Sequence, residues 1–113
     1  MRLTTEFFVA ALIRRVFSSG GFAAVERKGA AEAGAVFIRQ RFRDGLESLY
    51  APAPQSMFDE GRAYDRRFEL RQDRQDADGI DALIAREAKF DSDLWVLEIE
   101  TDRIDGFIET VTE

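Results

Sequence analysis

The chain has 113 residues, 45% of them hydrophobic and 34% charged, with a net charge of −6 and neither Cys nor His. This length supports one globular domain that buries roughly 65% of its unfolded surface without staples. The two missing residue types exclude a disulfide framework, a thiolate zinc site, a Cys nucleophile and any imidazole base or ligand. Serine hydrolysis by the usual triad goes with them.

No apolar run approaches the ~20 residues of a membrane span. Phe7 to Ile13 is followed by Arg14 and Arg15, where a secretory leader would carry a small-residue cleavage site. Together with the absence of Cys, this leads us to expect a cytoplasmic protein that makes no membrane contact and needs no cofactor. The acidic balance argues against broad nucleic-acid binding. The charge is uneven, however. Residues 14–44 carry +4, and residues 73–113 carry −9. The simplest reading is that these halves neutralise each other on folding.

In chain order, Thr4 or Thr5 can cap a helix running to about Ser18, with Phe8, Val9, Leu12, Ile13 and Val16 on one side. Phe7 and Arg14 fall on the far side, and Gly20-Gly21 supplies a left-handed stop. Residues 22–28 read as a strand with Ala23 and Val25 on one face. Residues 29–34 form a small-residue connection. Residues 35–43 read as a stronger strand, in which Val36, Ile38 and Phe42 alternate with Arg39, Arg41 and Arg43. Asp44-Gly45 reads as a two-residue hairpin turn returning into residues 46–50. That turn places Arg43 opposite Leu46, Arg41 opposite Ser48 and Arg39 opposite Tyr50, so three arginines share one sheet face.

Pro52 and Pro54 end this strand. Residues 55–60 suggest a helical turn capped by Ser56, with Met57 and Phe58 tucked inward. Residues 66–71 read as a strand with Phe68 and Leu70 inward, and residues 72–77 as a polar loop. A second helix starts at Asp76 or Asp78, where Asp78 and Asp81 resemble a capping box. It presents Ile80, Leu83, Ile84 and Phe90 to the core. Glu87 falls in the middle of that face and needs a partner there. Arg14, Arg15 and Arg86 are the candidates for a structural ion pair.

Leu94-Trp95-Val96-Leu97-Glu98-Ile99 is apolar on both faces and reads as the central strand, covered on both sides. Strand 66–71, the helix and this strand make a βαβ unit with parallel strands. The predicted class is α+β: a mixed, mostly antiparallel sheet of about five strands with two main helices, in the order α-β-β-β-β-α-β. Residues 1–113 form one domain, with 101–113 as a loosely docked acidic tail in which Ile104, Phe107 and Ile108 could make a short element.

Four stretches together resemble a small alphaproteobacterial family of unknown function. They are Arg2-Leu3-Thr4 leading into Val9-Ala10-Ala11-Leu12-Ile13-Arg14-Arg15, then Gly20-Gly21-Phe22-Ala23, then Leu49-Tyr50-Ala51-Pro52-Ala53-Pro54-Gln55-Ser56, and finally Ala85-Arg86-Glu87 through Phe90-Asp91 to Asp93-Leu94-Trp95. The resemblance covers most of residues 1–100. It implies a compact α/β domain and brings no catalytic residue with it.

Little of the remaining chemistry is coherent. Aligning Gly79 to the glycine of a calcium loop puts Arg74 and Ala85 at the first and last ligand positions, where carboxylates are needed. Ser18-Ser19-Gly20-Gly21 sits at a helix C-terminus, the wrong end for phosphate. The leading expectation is therefore a non-enzymatic binding or adaptor module with a protein partner. It would use Arg39, Arg41 and Tyr50 on the sheet face and Gln55 and Ser56 in the 50–60 loop. The alternative is a metal-dependent phosphoesterase or nuclease using the carboxylates of Asp59, Glu60, Asp91, Asp93, Glu98 and Glu100. A third reading is single-strand nucleic-acid binding by the arginine and aromatic face.

Overall fold

Helix α1 spans Thr5–Ser18 in the computed structural model, whose described residues are 4–54 and 66–111. The Thr4 hydroxyl accepts from the Phe7 N–H at its start. At its end the Gly21 N–H reaches the Val16 carbonyl and the Gly20 N–H reaches that of Phe17, a Schellman closure that Gly20 completes with φ +90°. Val9, Leu12 and Val16 are buried, Phe8 and Ile13 pack partly against them, and Phe7 is exposed.

The sheet strands are β1 (Phe22–Arg27), β2 (Val36–Arg41), β3 (Glu47–Pro52), β4 (Arg67–Gln75), β5 (Trp95–Glu100) and β6 (Glu109–Thr110), ordered β1-β5-β2-β3-β4-β6. Pairings β1–β5, β2–β3 and β3–β4 are antiparallel, whereas β2–β5 and β4–β6 are parallel. The class is α+β with a mixed open sheet, as expected. The sixth strand arises because the tail returns to pair residues 109–110 with Arg67 and Phe68.

β5 is the interior strand anticipated from its sequence. Trp95, Leu97 and Ile99 meet α1 on one side, while Leu94 and Val96 meet helix α2 (Ala77–Phe90) on the other. The βαβ reading needs one correction. β4 does run parallel to β5, but β3 and β2 lie between them. The unit is therefore split, and α2 spans the gap over Phe37, Leu49, Ala51 and Val96.

The hairpin register differs by one residue from the predicted one. Ile38 faces Tyr50, Arg39 faces Leu49, Gln40 faces Ser48 and Arg41 faces Glu47. The Gly45 N–H bonds to the Phe42 carbonyl, the Phe42 N–H bonds to the Leu46 carbonyl, and Gly45 alone takes positive φ. This is a type I turn followed by a glycine bulge, which holds three residues rather than two. A one-residue slip moves every side chain of one strand to the other face.

Four further expectations shift. β4 continues to Gln75, through the residues read as a loop, and Leu70 is exposed because only Phe68 of this strand is buried. Val25 lies exposed on the outer strand β1, where a bulge interrupts pairing. Phe90, placed on the core face from helical spacing, is 90% exposed at the last residue of α2. The α2 cap is Asp76, whose carboxylate accepts from the Gly79 N–H. The turn predicted over residues 55–60, with Ser56, Met57 and Phe58, lies outside the described residues.

The small-residue connection has a steric reason. A Cβ on Gly29 would stand 2.0 Å from the Asp93 carbonyl oxygen, and one on Gly34 would stand 2.3 Å from it and 2.7 Å from Trp95 Cδ1. The Trp95 indole donates to the Ala30 carbonyl within the same loop, at 2.7 Å. Ile104 and Ile108 of the C-terminal segment are buried in the α1-side core.

Candidate functional site

Inward-facing arginines need partners, and Arg39 has found several. Its side chain is only 3% exposed. Its guanidinium donates to Glu47, to Glu26 at 2.8 Å, to Asp81 at 2.7 Å and to the Ala77 carbonyl at 3.3 Å. Burial alone would lower its pKa, but bonds to Glu47 and Asp81 and the nearby Glu26 charge outweigh it, so the pKa is raised. Arg41, two residues on, donates to the other Glu47 oxygen at 3.1 Å and lies 3.4 Å from Glu98. Glu47, 4% exposed, thus bridges both arginines.

Tyr50 is on the other face, with Ile38 and the α1-side core. The arginine and aromatic face expected of the hairpin, and with it the basis of the nucleic-acid reading, does not form. The phenol is half-buried beside Asp73 and Asp105, and its pKa is raised, first by burial and then by those two charges. Gln55 and Ser56 lie outside the described residues.

Glu87 finds a different partner from those proposed. Arg71 approaches it at 3.6 Å. Arg14 and Arg15 belong to α1, on the opposite side of the sheet, and Arg15 instead donates to the Phe107 carbonyl.

The metal alternative gains no support from the placement of its described carboxylates. Asp91 and Asp93 precede β5, whereas Glu100 closes it, and six strand residues separate the two ends by roughly 17–20 Å. Among the described residues no three carboxylates are grouped to hold a metal. Asp59 and Glu60 lie outside them.

The concavities gather elsewhere. β2 and β5 are adjacent and parallel, and they end together at Arg41 and Glu100. Beyond those ends lies a cavity of about 640 Å³, lined by Arg41, Phe42, Glu47, Glu100, Thr101 and Asp102, with Arg43 and Gly45 at the hairpin side. Clefts outside the carboxyl ends of parallel strands are the usual ligand positions of open sheets, because the chain leaves the sheet there in diverging directions. Two smaller hollows adjoin it, and Phe42 and Asp102 line all three.

Arg74, in the left-handed region at φ 50°, sets its guanidinium 4.3 Å from the Phe42 ring centroid and pairs with Asp44. Its N–H is held by the Ser48 hydroxyl, which donates to Asp73. Arg43, Glu100 and Asp102 are exposed, and among the described residues their side chains make no hydrogen bond or ion pair. Sequence reasoning missed this cleft because Phe42 was assigned to the strand interior. A legible signal was the run Glu98, Glu100, Asp102 at alternating positions, leaving the end of an otherwise apolar strand.

Among the described residues no helix is long and apolar enough to cross a membrane. A model of a protein family of unknown function, DUF1491, matches residues 3–109, which extends into the tail beyond the stretches first seen to resemble a family. A protein from A. tumefaciens with a known solution structure is 57% identical, at a TM-score of 0.87, covering 100% of this chain and 98% of that one. A DUF1491 family protein from Caulobacter crescentus, known from a crystal structure, is 34% identical, at a TM-score of 0.79, covering 99% and 100%. An NMR structure of a DUF1491 family protein from the same organism gives 34% identity and a TM-score of 0.78, covering 99% of each chain. A comparison with curated proteins returned no match. The family model spans nearly the whole chain and the fold is shared end to end, so this chain belongs to the DUF1491 family of unknown function.

Proposed function

We propose that the chain is a non-enzymatic binding module that engages a protein partner in the cytoplasm through the cleft around Phe42. The observation that carries this reading is the cavity at the carboxyl ends of β2 and β5. Its volume is in the range of ligand sites, and its wall holds three charged side chains, Arg43, Glu100 and Asp102, with no partner among the described residues. Of the residues first singled out, Arg41 reaches this wall, and Tyr50 lines an adjoining hollow. Arg39 supports the wall from behind by holding Glu47. The chain has no imidazole or thiol, and the described carboxylates offer no metal cluster, so binding accounts for the site better than catalysis.

A photo-crosslinking residue placed at Arg43 or Asp102, in the native cells, should give one discrete adduct of the same mass from both positions. The exposed Ala85 on α2 is the control position. No adduct from positions 43 and 102, or an equal adduct from position 85, overturns the site.

A further inference from the structure

Resting on that cleft, we infer that it receives a guanidinium side chain from a basic segment of the partner, seated on Phe42 between Asp102 and Glu100. The fold already shows how this end of the molecule holds a guanidinium. Arg74 lies over the Phe42 ring and is anchored by the Asp44 carboxylate, so ring and carboxylate act together on one planar cation. The two hollows that do not include Arg74 also reach Phe42, and Asp102 lines both. Ring and a carboxylate with no partner among the described residues therefore stand together at two hollows that Arg74 does not line.

Charge agrees with this assignment. Arg41 stands in the same wall, but Glu47 and Glu98 neutralise it. Behind it, Glu26, Glu47, Asp81 and Glu98 outnumber Arg39 and Arg41, so the ionic cluster backing the cleft is negative. Of the unpaired groups at the main cavity two are acidic, Glu100 and Asp102, and one is basic, Arg43. Arg103 and Asp105 offset each other at the adjoining hollow. A field of this sign favours a cation and disfavours a phosphate or an acidic peptide. An aromatic floor favours a flat guanidinium over a compact ammonium.

The test is an amide-resolved NMR titration of the full chain with the blocked peptide acetyl-Arg-Arg-Arg-amide. The uncharged citrulline peptide, a tri-glutamate peptide and spermidine serve as comparisons. The arginine peptide should shift the amides of residues 42, 43 and 100–102, and binding should weaken as salt rises. Glu100→Gln and Asp102→Asn, both on exposed side chains, should each weaken it about fivefold without altering the rest of the spectrum. Arg43→Gln should strengthen it by a similar factor. Spermidine should bind more weakly, and citrulline and glutamate peptides should leave these amides in place. Equal binding of the citrulline peptide or spermidine, shifts centred on residues 91–93, or indifference to both acid substitutions overturns the assignment. Crosslinks at positions 43 and 102 beside a silent arginine peptide would overturn the ligand class and leave the cleft standing. Loss of both results would remove the cleft itself.

Discussion

The two faces of one sheet are sealed by different physics. Toward α1, Leu12, Val16, Ile38, Leu97 and Ile99 form a continuous apolar layer that Ile104 and Ile108 extend. Toward α2, the layer is apolar only around Phe37, Leu49, Ala51, Ile80, Ile84 and Val96. Past those residues the same strands carry Arg39, Arg41, Glu47 and Glu98, and the first turns of α2 contribute the Ala77 carbonyl and Asp81 rather than hydrocarbon. An apolar layer is stabilised by removal from water and tolerates small losses. An ionic layer carries a desolvation cost that only complete pairing offsets. The difference teaches where the charge goes: four carboxylates, Glu26, Glu47, Asp81 and Glu98, meet two arginines, and Glu47 and Arg41 carry this ionic layer to the cleft at the carboxyl ends of β2 and β5.

The largest effect expected from breaking this contrast is Arg39→Ala. It leaves Glu47 buried with Arg41 alone and should cost about 3–5 kcal/mol in chemical denaturation. Arg39→Met combined with Glu47→Leu removes both charges and should cost less than the single change. If the double variant is the less stable of the two, the ionic layer is a net stabiliser and the contrast fails. On the other face, Ile38→Val removes one methylene from a fully buried position and should cost about 1 kcal/mol. A cost near that of Arg39→Ala would mean that the apolar layer is the less forgiving one.

The apolar face was the legible one. Helical spacing located Val9, Leu12 and Val16, and the doubly apolar run 94–99 located the interior strand, because burial follows period when only hydrocarbon is involved. What failed was decided by geometry that composition does not encode. Asp44-Gly45 reads equally well as a two-residue turn or as the end of a type I turn with a glycine bulge, and the choice between them moved Tyr50 to the other face from Arg39. Arg14, Arg15 and Arg86 are all offered to Glu87 because spacing along the chain does not say which arginine the sheet brings near, and β4 supplies Arg71 instead. The cleft was invisible for a related reason: Phe42 becomes a floor only after the slip takes it out of the strand.

Tyr50 gives the smallest effect and the sharpest check on which face it occupies. Its phenol is half-buried on the α1 side, near Asp73 and Asp105, and burial followed by those charges raises its pKa above the usual 10.0. Above pH 10 the unfolded chain loses this proton while the folded chain keeps it. The unfolded state then binds fewer protons, so stability falls as pH rises from the unfolded value through the raised folded one. Below pH 10 both states are protonated and the contribution to stability is intact. Tyr50→Phe removes the titrating group and should flatten this part of the alkaline stability profile, with little change at pH 7. Had Tyr50 shared a face with Arg39 and Arg41, two neighbouring cations would have favoured the phenolate and lowered its pKa. The native chain would then gain stability between that lowered value and pH 10 and keep it above, and the substitution would remove the gain, so the sign of the difference between the two profiles above pH 10, each taken relative to pH 7, reports the register of the hairpin.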